Sequence, residues 1–152
     1  MAARLLRSRS TRKLVRSVEA NTTVSYSVGQ ELVVLTRQVT QETINRYAEA
    51  SGDHNPLHVN PEFAATTRFG GPIAHGMLVL AYVSEAMTAA FGEAWLRSGR
   101  LKARFRGAAR PGDVVVVSGR VVKVEEHRVV CEVWAKNGTG EVLISADAEV
   151  SE

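Results

Sequence analysis

One long apolar segment, residues 75–91, most limits how this chain can fold. It reads HGMLVLAYVSEAMTAAF and contains, of the residues Asp, Glu, Lys and Arg, only Glu85. Its apolar residues fall on every side of a helical wheel, and its length and its alanine and methionine content favour a helix over a strand. The sequence therefore predicts a helix that is buried on all sides, with the rest of the chain packed around it.

The segments on either side of this helix are typical of strands and turns. Before it, residues 31–39 are rich in β-branched residues, and Thr40 offers an N-cap for a helix over 41–50 that ends at Gly52. After it, strands are predicted at 101–107, 113–124, 128–136 and 141–150. A buried helix followed by antiparallel strands predicts an α+β fold with the sheet curled around the helix. The free edge of such a small sheet predicts a homodimer, with a higher homo-oligomer as the alternative.

The beginning of the chain differs from the rest in charge. Residues 1–18 are rich in serine, contain no acid and carry six basic residues: Arg4, Arg7, Arg9, Arg12, Lys13 and Arg16. This composition is typical of a mitochondrial transit peptide, and a basic tail without a targeting function is the alternative. We therefore expect residues 1–20 to be an extension and residues 21–152 to be one domain. The expected location is the mitochondrial matrix if the extension is a transit peptide, and the cytoplasm otherwise.

Charge and cysteine content argue against several classes of function. The whole chain has a formal charge of +3, but without the six basic residues above it retains 13 basic and 16 acidic residues, a net of −3. A nucleic-acid-binding surface on the chain outside residues 1–18 is therefore not supported. No apolar stretch approaches the roughly 18 residues of a transmembrane helix. The lone Cys131 allows neither an intrachain disulfide nor a CxxC metal site.

The strongest indication of chemistry is the octapeptide at residues 51–58, SGDHNPLH. Asp53 and His58 lie close in sequence, and acid/base chemistry on a small molecule needs two titratable groups directed at the same place. Pro56 disfavours a helical conformation for Asn55, and the glycine before Asp53 permits backbone angles that other residues resist. The pattern predicts that the pair lies on a shaped loop rather than on a surface helix. An Asx turn with a nearby histidine is the alternative.

The octapeptide and its neighbours resemble a known family. Tyr47, the octapeptide and Ala64 together resemble the hydratase-2 motif of MaoC-like dehydratases and (R)-specific enoyl-thioester hydratases. Residues 72–77, PIAHGM, resemble the start of that family's central helix, and the resemblance covers roughly residues 25–150. It implies a hot-dog fold, in which an antiparallel sheet wraps around a long central helix. That expectation agrees with the pattern of strands and helices.

The resemblance also implies an activity and its site. Asp53 and His58 would hold one water molecule and carry the acid/base chemistry. The N–H of Gly76 would polarise a thioester carbonyl, and Asn55 would help to shape the loop and the water site. The implied reaction is reversible hydration of trans-2-enoyl thioesters to (R)-3-hydroxyacyl thioesters in fatty-acid metabolism, with acyl-CoA or acyl carrier protein thioesters as substrates and no cofactor. We assign His58 as the activator of water and Asp53 as the proton shuttle.

Other functions rest on other residues. Glu85, a carboxylate on the apolar helix, would be the catalytic group of a hot-dog thioesterase, unless it pairs with an arginine or lies at a dimer edge. His54 and His58 have the spacing of a metal pair on a helix, but Pro56 between them argues against that helix, so we expect no metal. A module that binds acyl thioesters without turnover is a further alternative, and the intact Asp53 and His58 argue against it.

Two more residues are expected to be structural. His75, at the start of the apolar helix, is expected to satisfy a backbone group, with a substrate contact as the alternative. Cys131 lies in a valine-rich segment and is expected to belong to the core. The sequence as a whole therefore predicts a homodimeric hydro-lyase that binds neither nucleic acid nor membranes.

Overall fold

The structure, a computed structural model, describes residues 25–151. The transit peptide predicted within residues 1–20 lies outside this range. No helix in the described range is long and apolar enough to cross a membrane. The secondary-structure elements in this range are, in chain order, β1 (Leu35–Gln38), α1 (Gln41–Ser51), α2 (Pro56–Val59), α3 (Pro61–Ala65), α4 (Gly76–Phe91), α5 (Glu93–Ser98), β2 (Arg100–Phe105), β3 (Val114–Glu125), β4 (Arg128–Lys136) and β5 (Val142–Ser151).

The strands form one antiparallel sheet in the order β1-β3-β4-β5-β2. Alternate residues of its three central strands face the core, as the two-residue period of a strand requires. The buried side chains on this face include Val115, Val117, Val121, Cys131, Val133, Ala135, Ala146, Ala148 and Val150. The other face carries exposed cross-strand ion pairs, such as Arg120 with Glu132 at 2.9 Å. The predicted α+β fold is confirmed, and β1 and β2 are the edges of the sheet.

Helix α4 packs on the inner face of this sheet and supplies much of the core. Its buried residues are Leu78, Val79, Tyr82, Val83, Ala86, Met87 and Phe91. The prediction that the helix is buried on all sides is wrong, because Met77, Ala81, Glu85 and Ala89 are exposed. Residues four apart lie on the same side of a helix. These four therefore form one uncovered face, the exposed stripe of α4, which the sheet of a single chain does not reach.

Two other elements differ from the sequence prediction. Strand β1 is shorter than the predicted 31–39, because residues 31–34 form only one isolated bridge, between Glu31 and Arg120. The sequence pattern did not predict α5, whose six residues are too few to show a helical period. This helix is anchored by the buried Trp95, whose Nε1 donates a hydrogen bond to Oγ of Ser84 at 3.0 Å.

Candidate active site

The end of α1 determines where Asp53 lies. The helix begins at the predicted N-cap, Thr40, whose Oγ1 accepts a hydrogen bond from the N–H of Thr43 at 3.0 Å. It ends at Gly52, which has a φ of 74° in the left-handed region that favours glycine. The N–H of Gly52 donates to the carbonyl of Ala48 at 2.8 Å. This C-cap turns the chain away from the helix axis immediately before Asp53.

Side-chain hydrogen bonds to the backbone then shape the octapeptide. Oδ1 of Asp53 accepts from the N–H of Asn55 at 3.2 Å, which is the Asx turn that the sequence left open. Oδ1 of Asn55 accepts from the N–H of Leu57 at 3.0 Å and caps α2. Pro56 is the first residue of α2, a position where its missing N–H costs nothing. His58 therefore lies on a short helix and not on the predicted loop, because Pro56 starts a helical turn here.

One hydrogen bond fixes the ring of His58. Its Nδ1 lies 2.8 Å from the carbonyl oxygen of Ile73. A carbonyl only accepts, so Nδ1 carries the proton and Nε2 of the neutral ring is left as an acceptor. That is the form a general base needs. His54 takes a different direction, with its Nδ1 3.7 Å from Oε1 of Glu49, so the metal pair suggested by the spacing of the two histidines does not form.

His75 is the site residue whose importance the sequence understated. Its side chain is buried, and its Nε2 donates to the backbone carbonyl of Asp53 at 2.9 Å, so it does satisfy a backbone group. In addition, its ring stacks on that of His58, with centroids 3.8 Å apart, and the ring of Tyr47 lies 4.9 Å away. The only sequence signal for this role was a histidine directly before Gly76 at the start of a helix.

The side chains of Asp53, His58 and His75 converge, with ligand-type atoms all within 4.8 Å of one another. A carboxylate and two imidazoles are donors that zinc accepts. One ring nitrogen of His75 donates to a carbonyl, and the other, Nδ1, is buried without a hydrogen-bond partner among the described residues. Asp53 and His58 lie close enough for one small molecule, such as water, to contact both side chains.

Gly76 begins α4 and offers an unpaired donor. No hydrogen bond among residues 25–151 uses its N–H, as expected in the first turn of a helix. The residue borders a cavity of about 350 Å³ whose walls include Ile73, Phe105 and Ile144. The ring of Phe105 packs on Gly76 so closely that a Cβ there would lie 2.9 Å from it. A free amide at the positive end of the helix dipole, facing a cavity, suits a developing negative charge.

The remaining candidates have structural surroundings. Glu85 forms an ion pair with Arg37, in which Nε lies 3.2 Å from Oε2 and a second guanidinium nitrogen contacts Oε1. This pairing with an arginine is the structural alternative that the sequence raised for Glu85. Cys131 is buried in β4, and burial raises the pKa of its thiol to about 11. The thiolate is the nucleophilic form of cysteine, so this residue belongs to the core rather than to a reactive site.

Comparison with known proteins agrees with this fold. Residues 23–142 match the family model described as MaoC like domain. The 3-hydroxyacyl-thioester dehydratase Z of Mycobacterium tuberculosis is 34% identical over 116 residues, which make up 74% of this chain and 72% of that protein.

Solved structures give the same result. The (R)-hydratase from A. caviae involved in PHA biosynthesis has a TM-score of 0.74 at 27% identity, over 84% of this chain and 97% of that one. The R-hydratase PhaJ1 from Pseudomonas aeruginosa has a TM-score of 0.72 at 28% identity, over 82% of this chain and 81% of that one. The family model spans most of the chain, and with these likenesses it shows that the protein belongs to the MaoC-like dehydratase family and has the hot-dog fold.

Proposed function

We propose that this protein is a hydro-lyase that interconverts trans-2-enoyl thioesters and (R)-3-hydroxyacyl thioesters. The observation that carries the proposal is one cluster with two parts. Asp53 and the free Nε2 of His58 form an acid/base pair, and the unpaired N–H of Gly76 follows directly on His75, whose ring stacks on His58. The similarity to 3-hydroxyacyl-thioester dehydratase Z and to two (R)-hydratases supports the same chemistry.

The donor at Gly76 addresses the charge that hydration creates. Water adds to C3 of the enoyl thioester, and electron density moves through C2 onto the thioester oxygen before C2 takes up a proton. A preorganised N–H at a helix N-terminus stabilises that oxygen more in the transition state than in the substrate. One such donor contributes roughly 2.7–4 kcal/mol in comparable oxyanion holes. Glycine at this position leaves the amide accessible, since a side chain here would also collide with Phe105.

The acid/base pair balances the protons. Nε2 of His58 accepts a proton from water as the hydroxyl bonds to C3, and this proton then passes through Asp53 to C2, so that His58 and Asp53 end the cycle in the forms in which they began it. In the reverse direction C2 loses a proton and the hydroxyl leaves as water. His75 has no place in this proton transfer, because its Nε2–H is engaged by the Asp53 carbonyl and its Nδ1 is buried. It holds Asp53 and His58 at a fixed separation.

We also propose that the protein is a homodimer. The free edges of β1 and β2 and the exposed stripe of α4 support the dimer, because unpaired strand edges and an uncovered helix face, three of whose four residues are apolar, favour a second copy. Light scattering should give twice the mass of one chain, and a monomer mass would contradict the proposal.

The basic composition of residues 1–20 supports a second proposal, that the protein is located in the mitochondrial matrix, with the cytoplasm as the alternative. Fusing these residues to a fluorescent protein would decide between them.

The activity is tested with crotonyl-CoA. The loss of the enoyl-thioester absorbance should follow enzyme concentration, with no free thiol released in a parallel assay. Thiol release would instead favour the thioesterase. Binding of crotonyl-CoA without either signal, repeated with longer enoyl chains and with enoyl-acyl carrier protein, would indicate a binding module and would overturn the proposal.

A further inference from the structure

Two arginines without carboxylate partners border the cavity beside Gly76. Arg68 and Arg106 both contribute to its lining. Arg68 follows α3 and stacks over the ring of Phe69 at 4.8 Å. Arg106 directly follows β2, and its Nε lies 3.4 Å from Oγ of Ser145. Neither guanidinium forms an ion pair with any residue that the structure describes.

Five of the ten arginines in residues 25–151 form ion pairs with carboxylates, namely Arg37, Arg97, Arg104, Arg120 and Arg128. Arg46, Arg100 and Arg110 lack such a pair, as Arg68 and Arg106 do, but they do not line this cavity. The chain outside residues 1–18 has a net charge of −3, and yet no acidic residue is part of the lining of this cavity. Glu141 lies nearby, close to Gly107, and its Oε2 accepts from Nδ2 of Asn137 at 3.0 Å. Two arginines without carboxylate partners therefore line one cavity of a protein whose net charge, outside residues 1–18, is negative.

The backbone around Arg106 is well fixed. The N–H groups of Arg106 and Gly107 both donate to the carbonyl of Leu143, at 2.8 and 3.2 Å. Both arginine side chains are exposed, so their guanidinium groups are accessible to a ligand that enters the cavity. Planar guanidinium groups bind phosphate through two parallel hydrogen bonds, which is the geometry that favours arginine over lysine at such sites.

We propose that Arg68 and Arg106 bind the phosphate groups of the pantetheine carrier that delivers the thioester. The proposal rests on the hydratase function, because it is the thioester that takes the carrier to Gly76. The pantetheine arm is a flexible chain between the thioester and a phosphate, and it would run from the cavity to the arginine pair. Acyl-CoA and acyl carrier protein share this phosphate, so both carriers have the chemistry that the two arginines recognise.

A set of thioesters with the same acyl group tests the proposal. Crotonyl-CoA and crotonyl-phosphopantetheine carry phosphate, whereas crotonyl-pantetheine does not. We expect the double variant Arg68→Gln/Arg106→Gln to lower kcat/KM for the phosphate-bearing thioesters roughly tenfold more than for crotonyl-pantetheine, mainly through KM. Arg68→Lys should recover part of the loss because it restores the charge. Arg97→Gln, which removes a paired arginine from α5, is the matched control and should leave the ratio between thioesters unaltered.

The outcomes separate the sources of the phosphate. Equal dependence on the arginines with both phosphate-bearing thioesters assigns the contact to the phosphate that CoA and acyl carrier protein share. Dependence confined to crotonyl-CoA assigns it to the phosphates of the nucleotide end. An equal loss with crotonyl-pantetheine would overturn the proposal.

A binding measurement keeps this test independent of turnover. Calorimetry with unacylated CoA and with pantetheine gives the same comparison, and salt should weaken the binding of CoA to the native protein more than to the double variant. Tighter binding of CoA that depends on the arginines, in a protein that hydrates nothing, would preserve the phosphate site and reject the hydratase. Hydration together with equal binding of both compounds would do the reverse.

Discussion

Asp53 and Glu85 are the two carboxylates that the sequence offers as catalytic groups, and the fold gives them different partners. Both oxygens of Glu85 contact the guanidinium of Arg37, and both side chains are exposed, by 45% and 41%. Asp53 has no cationic partner of this kind among the described residues. Its Oδ1 accepts one backbone N–H, and the carboxylate lies beside two imidazole rings.

Their positions relative to α4 explain the difference. Glu85 is nine residues beyond Gly76, so it is roughly 13 Å further along the helix axis. Asp53 lies beside the start of α4, because its backbone carbonyl accepts a hydrogen bond from Nε2–H of His75. A carboxylate acts as a proton shuttle when a base and a substrate donor are both within reach. Of these two carboxylates, Asp53 lies beside an imidazole that can act as the base, whereas the ion pair of Glu85 joins α4 to the edge strand β1.

The largest expected effect comes from Asp53→Asn. Asparagine keeps an oxygen that can accept the N–H of Asn55, so the turn should form, but the amide cannot move a proton. We expect kcat for hydration of crotonyl-CoA to fall by roughly 10³-fold, with little change in the melting temperature. Steady-state kinetics and thermal denaturation check both parts. If the variant retains a tenth of the native rate or more, Asp53 is not the shuttle, and the contrast with Glu85 is lost.

His58→Asn should have a slightly smaller effect. The amide of asparagine can replace Nδ1 as the donor to the carbonyl of Ile73, whereas nothing replaces the acceptor at Nε2. We expect a loss of roughly 10²–10³-fold in kcat, without a comparable change in KM. His58→Ala, which removes the donor as well, should be at least as inactive and less stable to urea. Equal activity of native protein and His58→Asn would show that Nε2 does not activate water.

The local part of this site could be predicted from sequence, and the tertiary part could not. Asp53, His58 and Gly76 belong to short motifs, so the residues next to each of them in the sequence were enough to identify it. The bond between His75 and Asp53 joins residues 22 positions apart, and that between Arg37 and Glu85 spans 48 positions. Such contacts depend on how α4 crosses the sheet, which spacing in the sequence does not encode. The exposed stripe of α4 was missed for the same reason, since a helical wheel shows apolar sides but not how many are covered.

Two substitutions of His75 separate the contribution of its hydrogen bond to Asp53 from that of its ring stack on His58. His75→Gln places an amide donor near the position of Nε2 and loses the ring stack, whereas His75→Phe keeps a ring beside His58 and loses the donor. We expect His75→Phe to lower kcat about 30-fold, because Asp53 is then free to shift by a fraction of an ångström, and His75→Gln to lower it less. The ratio of the two kcat values is the measurement. A purely structural role would lower stability in both variants and leave kcat of the folded fraction alike.

Glu85→Gln gives the smallest expected effect and is the strictest test of the contrast. Hydration of crotonyl-CoA should stay within about twofold of the native rate, because Glu85 touches neither the cavity nor the acid/base cluster. Loss of its exposed ion pair with Arg37 should lower the free energy of unfolding by about 0.2–1 kcal/mol. Urea denaturation of Glu85→Gln, Arg37→Gln and the double variant isolates the pair energy. A tenfold loss of turnover with unchanged stability would instead make Glu85 a catalytic group, and the two carboxylates would no longer differ in kind.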